Sequence, residues 1–369
     1  MNGDGDNNNA TLTTSTSETN PAPSAFPYRT YKLMVEYDGT NYCGFQRQTS
    51  TANIAITTSA SPQKAKKRKR SKQPDANNDT IQDVIEKALS LLTGQSIEGL
   101  RVRGAGRTDK GVHALGQVVA FDYYMNRQFD KVDGVCSCVL KDCNLSSVAI
   151  ARAINSYLPD DIVIRSGCVI PSKYYPFEAR RNITLKQYIY FIRFLSSDQC
   201  DSDSIGVNSF RRAFGPRCWN CPWMLNVKKI QEACNALEGK HDFALFTHRR
   251  DRFNKQKLTD LIRFRAEILD SINIFGNIND SRTDLFGSHQ PILMKFTAEA
   301  EGFRRGMVRH LVGYVVDFAR GIINDEYSPK NIFKKSSING AFKSNREGAQ
   351  ISSAPACGLY LAKVDFADF

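Results

Sequence analysis

The stretch RVRGAGRTDKGVHALGQVVAFD, residues 101–122, packs three glycines, three arginines, one aspartate and one histidine into its first thirteen positions, just before a strand-like run. IEGLRVRG (97–104) and LGQVVAFDY (115–123) read as strands on either side, so Asp109 falls on a loop between strands, where reactive groups are often displayed. Gly106 and Gly111 frame a GxxxxG spacing, but a phosphate loop needs Lys and then Ser or Thr directly afterwards, on a helix. Here Val112-His113 and a strand follow instead. Gly104-x-Gly106 also lacks the third glycine of a dinucleotide fingerprint. Both nucleotide-loop readings are excluded, and a sheet presenting a charged, glycine-rich loop remains.

Outward from this loop, YKLMVEYDGT (31–40) alternates apolar and polar residues and runs into Asp-Gly, the mark of a half-buried strand ending in a turn. TIQDVIEKALSLLTG (80–94) sets Ile81, Val84, Ile85, Ala88, Leu89 and Leu92 on one helical face, with Thr80 or Asp79 to cap its start and Gly94 its end. SSVAIARAINSYLP (146–159) reads as a helix stopped by Pro159, and DIVIRSGCVI (161–170) as a strand. FEARRNITLKQYIYFIRF (177–194) begins a new strand pair. NVKKIQEACNALEG (226–239) is a helix capped by Asn226 and Gly239. ILMKFTAEAEGF (292–303), RRGMVRHLVGYVVDFARG (304–321) and LYLAKVDF (359–366) read as strand, long helix and strand. Strands precede and follow helices in similar order twice, which predicts an α+β fold of two related halves, each a mainly antiparallel sheet with helices on one face. The expected organisation is a disordered tail over 1–27, one unit over 28–175 with a disordered insertion at 49–79, and a second over 176–369. Further insertions are expected at 124–144, 196–217, 271–290 and 325–350.

The formal net charge is +12, and KAKKRKRSK at 64–72 carries seven of the fifty Lys and Arg. Setting those seven aside leaves +5, so a polyanionic partner, most simply nucleic acid, is expected of the folded part as well. The basic run itself reads either as a nuclear localisation signal or as an RNA contact. No apolar run reaches the roughly 18 to 20 residues needed to cross a bilayer, so the chain is expected to be soluble. Residues 1–27 have neither an apolar core nor any Lys or Arg, unlike a secretory or transit peptide. This leaves nucleus and cytoplasm as the expected compartments, ahead of an organelle. Ten scattered cysteines look like reduced intracellular thiols rather than a disulfide framework. Cys218 and Cys221 have metal-ligand spacing without a second close Cys or His pair, and only Cys136, Cys138 and Cys143 offer a cluster to complete such a site. Unpaired thiols are the simpler reading, and no metal site is expected.

Cations beside Asp109 would hold its carboxylate ionised and fit for nucleophilic attack, while Arg107 and Lys110 could approach a polyanion. An Asp that merely caps a turn is the plainer alternative on residues alone. GRTDKGVHA (106–114), however, closely resembles the signature of the tRNA pseudouridine synthases of the TruA type. VEYDGTNYCGFQRQ (35–48), TIQDVIEKAL, FEAR (177–180) with KQYIY (186–190), LEGKHDFALF (237–246), GFRRGMVRHLVG (302–313) and APACGLYL (354–361) resemble further blocks of that family in the expected order. The resemblance spans about residues 30 to 366. It implies an enzyme with a catalytic cleft between the halves, which detaches uracil from C1′ of the ribose, turns it and rejoins it through C5, with tRNA as partner and no cofactor. It maps the nucleophile to Asp109, attacking either the uracil ring or the sugar carbon. Tyr188 maps to the active-site tyrosine that stacks on the uracil and helps remove the C5 proton. Arg309 maps to the arginine that pairs with Asp109, holding it ionised and aimed. Arg107 would help hold the base flipped out of its stem, with Lys110 and Lys186 as further substrate contacts.

Without the resemblance, Tyr188 and Tyr190 would both pass for core residues of a strand, and Arg305 and Arg309 for a solvated helix face. Lys32, Arg47, Arg101 and Arg103 are expected phosphate contacts, Thr108 and His113 supports of the loop, and His241-Asp242 a structural pair rather than a catalytic dyad. The implied target is the anticodon stem-loop, positions 38 to 40, with other tRNA sites, small nuclear RNA, or a catalytically silent RNA-binding role as alternatives. A metal-dependent nuclease would need more acids or histidines beside the loop than Asp109. Lys110 and Cys357 depart from the compact bacterial pattern, where a small residue and a Glu are usual. The insertions leave monomer and dimer both open.

Overall fold

The computed structural model describes residues 27–47, 79–124, 140, 146–197, 217–248, 258–269, 292–336 and 351–367. Residues 1–26 of the tail, the basic run, Cys136, Cys138, Cys143 and the insertion at 271–290 lie outside the described residues.

The first half begins with β1 (Tyr28–Tyr37), whose Tyr31, Leu33, Val35 and Tyr37 are buried on one face while Lys32, Met34 and Glu36 face outward. Burying each such side chain contributes about 1.5–3 kcal/mol. The covering helix α1 (Ile81–Thr93) starts where the sequence predicts. Thr80 and Asp83 exchange side-chain-to-backbone hydrogen bonds in a capping box, and Gly94 ends the helix at φ 70°. Ile97–Leu100, expected as a strand, instead forms the single helical turn α2, capped by Ser96 and ended by Arg101 in the left-handed region. Four residues with one cap suffice for a turn, and only Arg103–Gly104 remain as β2. β3 (His113–Tyr124) pairs antiparallel with β1, and α3 (Ser147–Asn155) leads to β4 (Ile162–Val169) on the other side of β1.

The second half carries β5 (Ile183–Ser196), β6 (Trp219–Leu225), α4 (Val227–Leu237), β7 (Gly239–His241), β8 (Thr259–Leu261), β9 (Arg263–Leu269), β10 (Ile292–Ala300), α5 (Met307–Ala319), the short α6 (Ile332–Ser336) and β11 (Leu359–Phe366). Asn226 caps α4, but its C-terminal cap is Glu238, with Gly239 opening β7 at φ 106°. The insertion expected at 325–350 begins later than predicted. Ile332 is fully buried and the Phe333 ring stacks 3.9 Å from that of His241, so residues 325–336 belong to the packed fold.

The strands of both halves join one sheet in the order β4-β1-β3-β11-β5-β10-β9, with β2 on β3 and β6 on β5. β11 joins the halves, running antiparallel to β5 over seven paired positions and parallel to β3 over only two, Tyr360 with His113 and Leu361 with Ala114. The loop bearing Asp109 opens β3 at this narrow junction.

Candidate active site

Glycine chemistry and local hydrogen bonds shape the loop from Ala105 to Val112. A side chain at Gly104 would meet the Phe45 ring at 2.3 Å, and Gly111 turns the chain at φ 76°. Gln117 clasps Gly106 from both sides, accepting from its N–H at 3.3 Å and donating to its carbonyl at 2.9 Å. Phe45 N–H donates to Thr108 O, Val112 N–H closes a turn onto Asp109 O, and the Tyr37 and Thr108 hydroxyls share a buried 2.8 Å hydrogen bond. These contacts fix the backbone beneath Asp109 and leave its side chain part-exposed.

Arg309 stands in the first turn of α5, which starts from Gly306 at φ 71°. Its Nε donates to Ala354 O at 2.7 Å and its Nη1 lies 3.5 Å from Asp109 Oδ2. That separation is an ion contact longer than a charge-assisted hydrogen bond, a looseness common in sites that tighten on substrate. Tyr188, in mid-β5, is buried under the same loop, and a Cβ at Gly106 would lie 3.8 Å from its hydroxyl and 3.7 Å from Lys186 Nζ. Burial, reinforced by Tyr37 and by the Asp109 charge, pushes the Tyr188 phenol well above the ordinary tyrosine range. Lys186 Nζ donates to Ala105 O at 3.0 Å, and burial, with Arg180 nearby, lowers its pKa. Asp109, Arg309, Tyr188 and Lys186 thus converge from three elements, whereas Arg107 and Lys110 are exposed on the outer side of the loop.

Other cations expected to meet phosphate are engaged elsewhere. Arg47 pairs with Asp83 and Glu86 and secures α1. Arg103 forms a two-pronged pair with the fully buried Asp122, 2.9 Å on each arm, and also donates to Phe177 O; Arg101 adds a 3.2 Å contact to the same carboxylate. The Lys32 ammonium lies 5.6 Å over the Phe366 ring. His241 and Asp242 face different partners. His241 Nε2 contacts Glu238 O at 3.0 Å, and Asp242 pairs with Arg304 at 3.3 Å, steadying the loop into α5. The Cys218 and Cys221 thiols point to the carbonyls of Trp219 and Trp223, and burial pushes them up to about 11 and about 12.

Sequence reasoning missed several participants. Phe303 meets the Tyr188 ring edge-on at 5.1 Å, Arg180 Nε donates to Gly104 O at 3.2 Å, and Tyr37 underpins Thr108. Phe303 and Arg180 sit inside the GFRRGMVRHLVG and FEAR blocks, so their place in those blocks was the available signal.

An aspartate and an arginine thus stand together over a buried tyrosine in a basic protein. Comparison with known proteins identifies the family. The sequence profile of the tRNA pseudouridine synthase family matches twice, over residues 33–167 and 233–367, once in each half. The chain belongs to the tRNA pseudouridine synthase family, and is thereby an isomerase that acts on uridine in tRNA. It is 28% identical to a protein called tRNA pseudouridine synthase A from Thermodesulfovibrio yellowstonii over 90% of this chain and 98% of that one. It is also 28% identical to the protein of the same name from Pseudothermotoga lettingae, over 92% of this chain and all of the other. The one from Rhodopseudomonas palustris matches at 28% over 91% and 98%. No helix among the described residues is long and apolar enough to cross a membrane.

Proposed function

We propose that Asp109 is the nucleophile of this isomerisation and that Arg309 aims it, with uridines of the tRNA anticodon stem-loop as targets. The observation that carries the reading is the convergence of Asp109 and Arg309, 3.5 Å apart, above Tyr188 at the junction of the two halves. In the reaction the C1′–N1 bond breaks, a C1′–C5 bond forms, and the C5 proton leaves to solvent while N1 gains one, so no outside donor or oxidant is needed. The Tyr188 phenol is protonated at neutral pH, and burial holds it so more firmly, so its first task is to stack on the uracil. Proton removal at C5 through Tyr188 requires that the phenol first pass its own proton to a stronger base. Arg107 and Lys110, exposed on the loop, are placed to meet RNA phosphate or hold a flipped base, and Lys186 lines the floor beside Tyr188. The units over 28–175 and 176–369 supply the two walls of the cleft. The basic run at 64–72 serves either as a nuclear localisation signal or as an RNA contact, with nucleus and cytoplasm both as working compartments.

The test is tritium release from tRNA transcripts labelled at C5 of uridine, without added metal or cofactor. Wild type should release tritium and Asp109→Ala should release none while still binding tRNA. Release by the variant, or tight binding by wild type without release across a tRNA panel, overturns the proposal.

A further inference from the structure

We propose that His113 is a positioning residue for this reaction, fixing the separation of Asp109 from Arg309 through a backbone strap, Ser352–Cys357, that it shares with Arg309. The inference rests on the roles given above to Asp109 and Arg309. The strap lies between their two supports. On the α5 side, Arg309 donates from Nε to Ala354 O and accepts from Ala354 N–H at 2.9 Å, while Gly313 leaves room for Ser352 O, which a Cβ there would approach to 1.9 Å. From beneath, the Tyr190 hydroxyl donates to Pro355 O at 2.8 Å. On the loop side, a Cβ at Gly111 would touch the Ala356 methyl at 3.4 Å, and His113 Nε2 lies 3.2 Å from Cys357 O. Asp109 is four residues before His113 and closes a turn onto Val112, so the imidazole ties the end of the catalytic loop to the strap that seats Arg309.

The surroundings of the ring determine which nitrogen does this. His113 is 1% exposed and stacked 4.6 Å from Tyr360. Its Nδ1 faces the Gly39 N–H at 3.2 Å and Asp38 Oδ1 at 3.0 Å, and Asp38 is in turn bound by Thr40 and by Arg217. A neutral ring with its proton on Nε2 donates to Cys357 O and accepts from Gly39 but turns its Nδ1 lone pair toward Asp38, whereas the opposite tautomer donates to Asp38 and sets a lone pair against the Cys357 carbonyl; the charged ring satisfies both Asp38 and Cys357 O. Burial lowers the His113 pKa, against the opposing pull of the Asp38 charge. The tie to the strap is present in the charged ring and in the neutral ring protonated on Nε2, and it is this Nε2–H donor that the proposal requires.

The nitrogen that matters can be isolated with amides. In His113→Gln the side-chain amide can reach the Nε2 position and keep the donor to Cys357 O, whereas in His113→Asn it reaches only the Nδ1 position. Turnover and KM would be measured by tritium release at a temperature well below unfolding, alongside tRNA binding and the melting curve. We expect His113→Gln to stay within about threefold of wild type, and His113→Asn to lose about 10- to 100-fold in kcat with KM and binding within twofold, the scale of an ångström-level misplacement. If Asn does not fold, His113→Phe, which keeps a ring on Tyr360 and removes both nitrogens, takes its place with the same expectation. Equal activity of the Gln and Asn (or Phe) variants, or a loss confined to KM and binding, overturns the proposal. Asp109→Ala run in parallel separates the two readings: residual turnover there refutes the nucleophile, whereas a dead Asp109→Ala beside a fully active His113→Asn refutes only the strap.

Discussion

Replacing Asp122 by asparagine should cost more stability than any change at an exposed ion pair. The carboxylate is fully buried, takes both arms of Arg103 at 2.9 Å and accepts the Thr30 hydroxyl at 2.8 Å. Asparagine keeps the shape but strands Arg103, 14% exposed, beside an amide. Breaking a buried pair from one side typically costs about 3–5 kcal/mol. Arg101, nearly half exposed, adds little to that. Arg103 also retains Phe177 O and a 3.7 Å approach to Glu178, which argues for the lower end, about 3 kcal/mol. At roughly 2–4 °C per kcal/mol for a chain of this order, the midpoint should fall by about 6–12 °C. Urea unfolding followed by circular dichroism gives the free energy, and a thermal melt gives the midpoint. The double variant Arg103→Met, Asp122→Leu should recover part of the loss, since no stranded charge remains. A single variant within about 1 kcal/mol of wild type at unchanged m-value would refute the reasoning.

Two further outcomes follow from the same kind of geometry. Gly313→Ala should destabilise by about 1–3 kcal/mol, although alanine is the better helix former by about 1 kcal/mol, because the added methyl meets Ser352 O at 1.9 Å; a melting curve reads the sign. Partial burial works to raise Asp38, but Thr40, Arg217 and His113 outweigh it and hold its pKa at about 2, below the unfolded value of about 3.9. Its contribution is therefore complete above about pH 4 and lost as pH falls through about 2. Acid titration of stability should show that slope, and Asp38→Asn should flatten it.

Much of the fold was legible because each long element carries its own period. β1, α1, β3, α4, α5, β10 and β11 all lie where alternation or helical spacing puts them. The exceptions are short or interrupted. α2 is one turn, β7 and β8 are three residues each, and β6 contains Pro222 and follows directly on Cys218, whose spacing to Cys221 suggested metal chemistry. β9, with Phe264 and Ala266 inward between charged residues, does alternate and could have been read. The site is a different matter. Asp109 and Arg309 are 200 residues apart, and no local period links them; family blocks pointed to both, and the sheet shows how they meet. The strap contributes the carbonyls of Ala354, Pro355 and Cys357, and a carbonyl looks the same under every residue type. The departure at Cys357 drew attention to a side chain, whereas the contact that reaches His113 is made by its backbone.

The place of β11 also orders the assembly of the sheet. Its residues, 359–366, are translated after every other strand of the sheet, yet they lie between β3 and β5. On the ribosome the first half can pair β1 with β3 and β4, and the second can pair β5 with β10, but among the described strands only β11 pairs with both halves. The strap that seats Arg309 precedes β11 directly, so it emerges just before the strand that joins the halves. A nascent chain therefore holds Asp109 and Arg309 before it holds the strand that lies between β3 and β5.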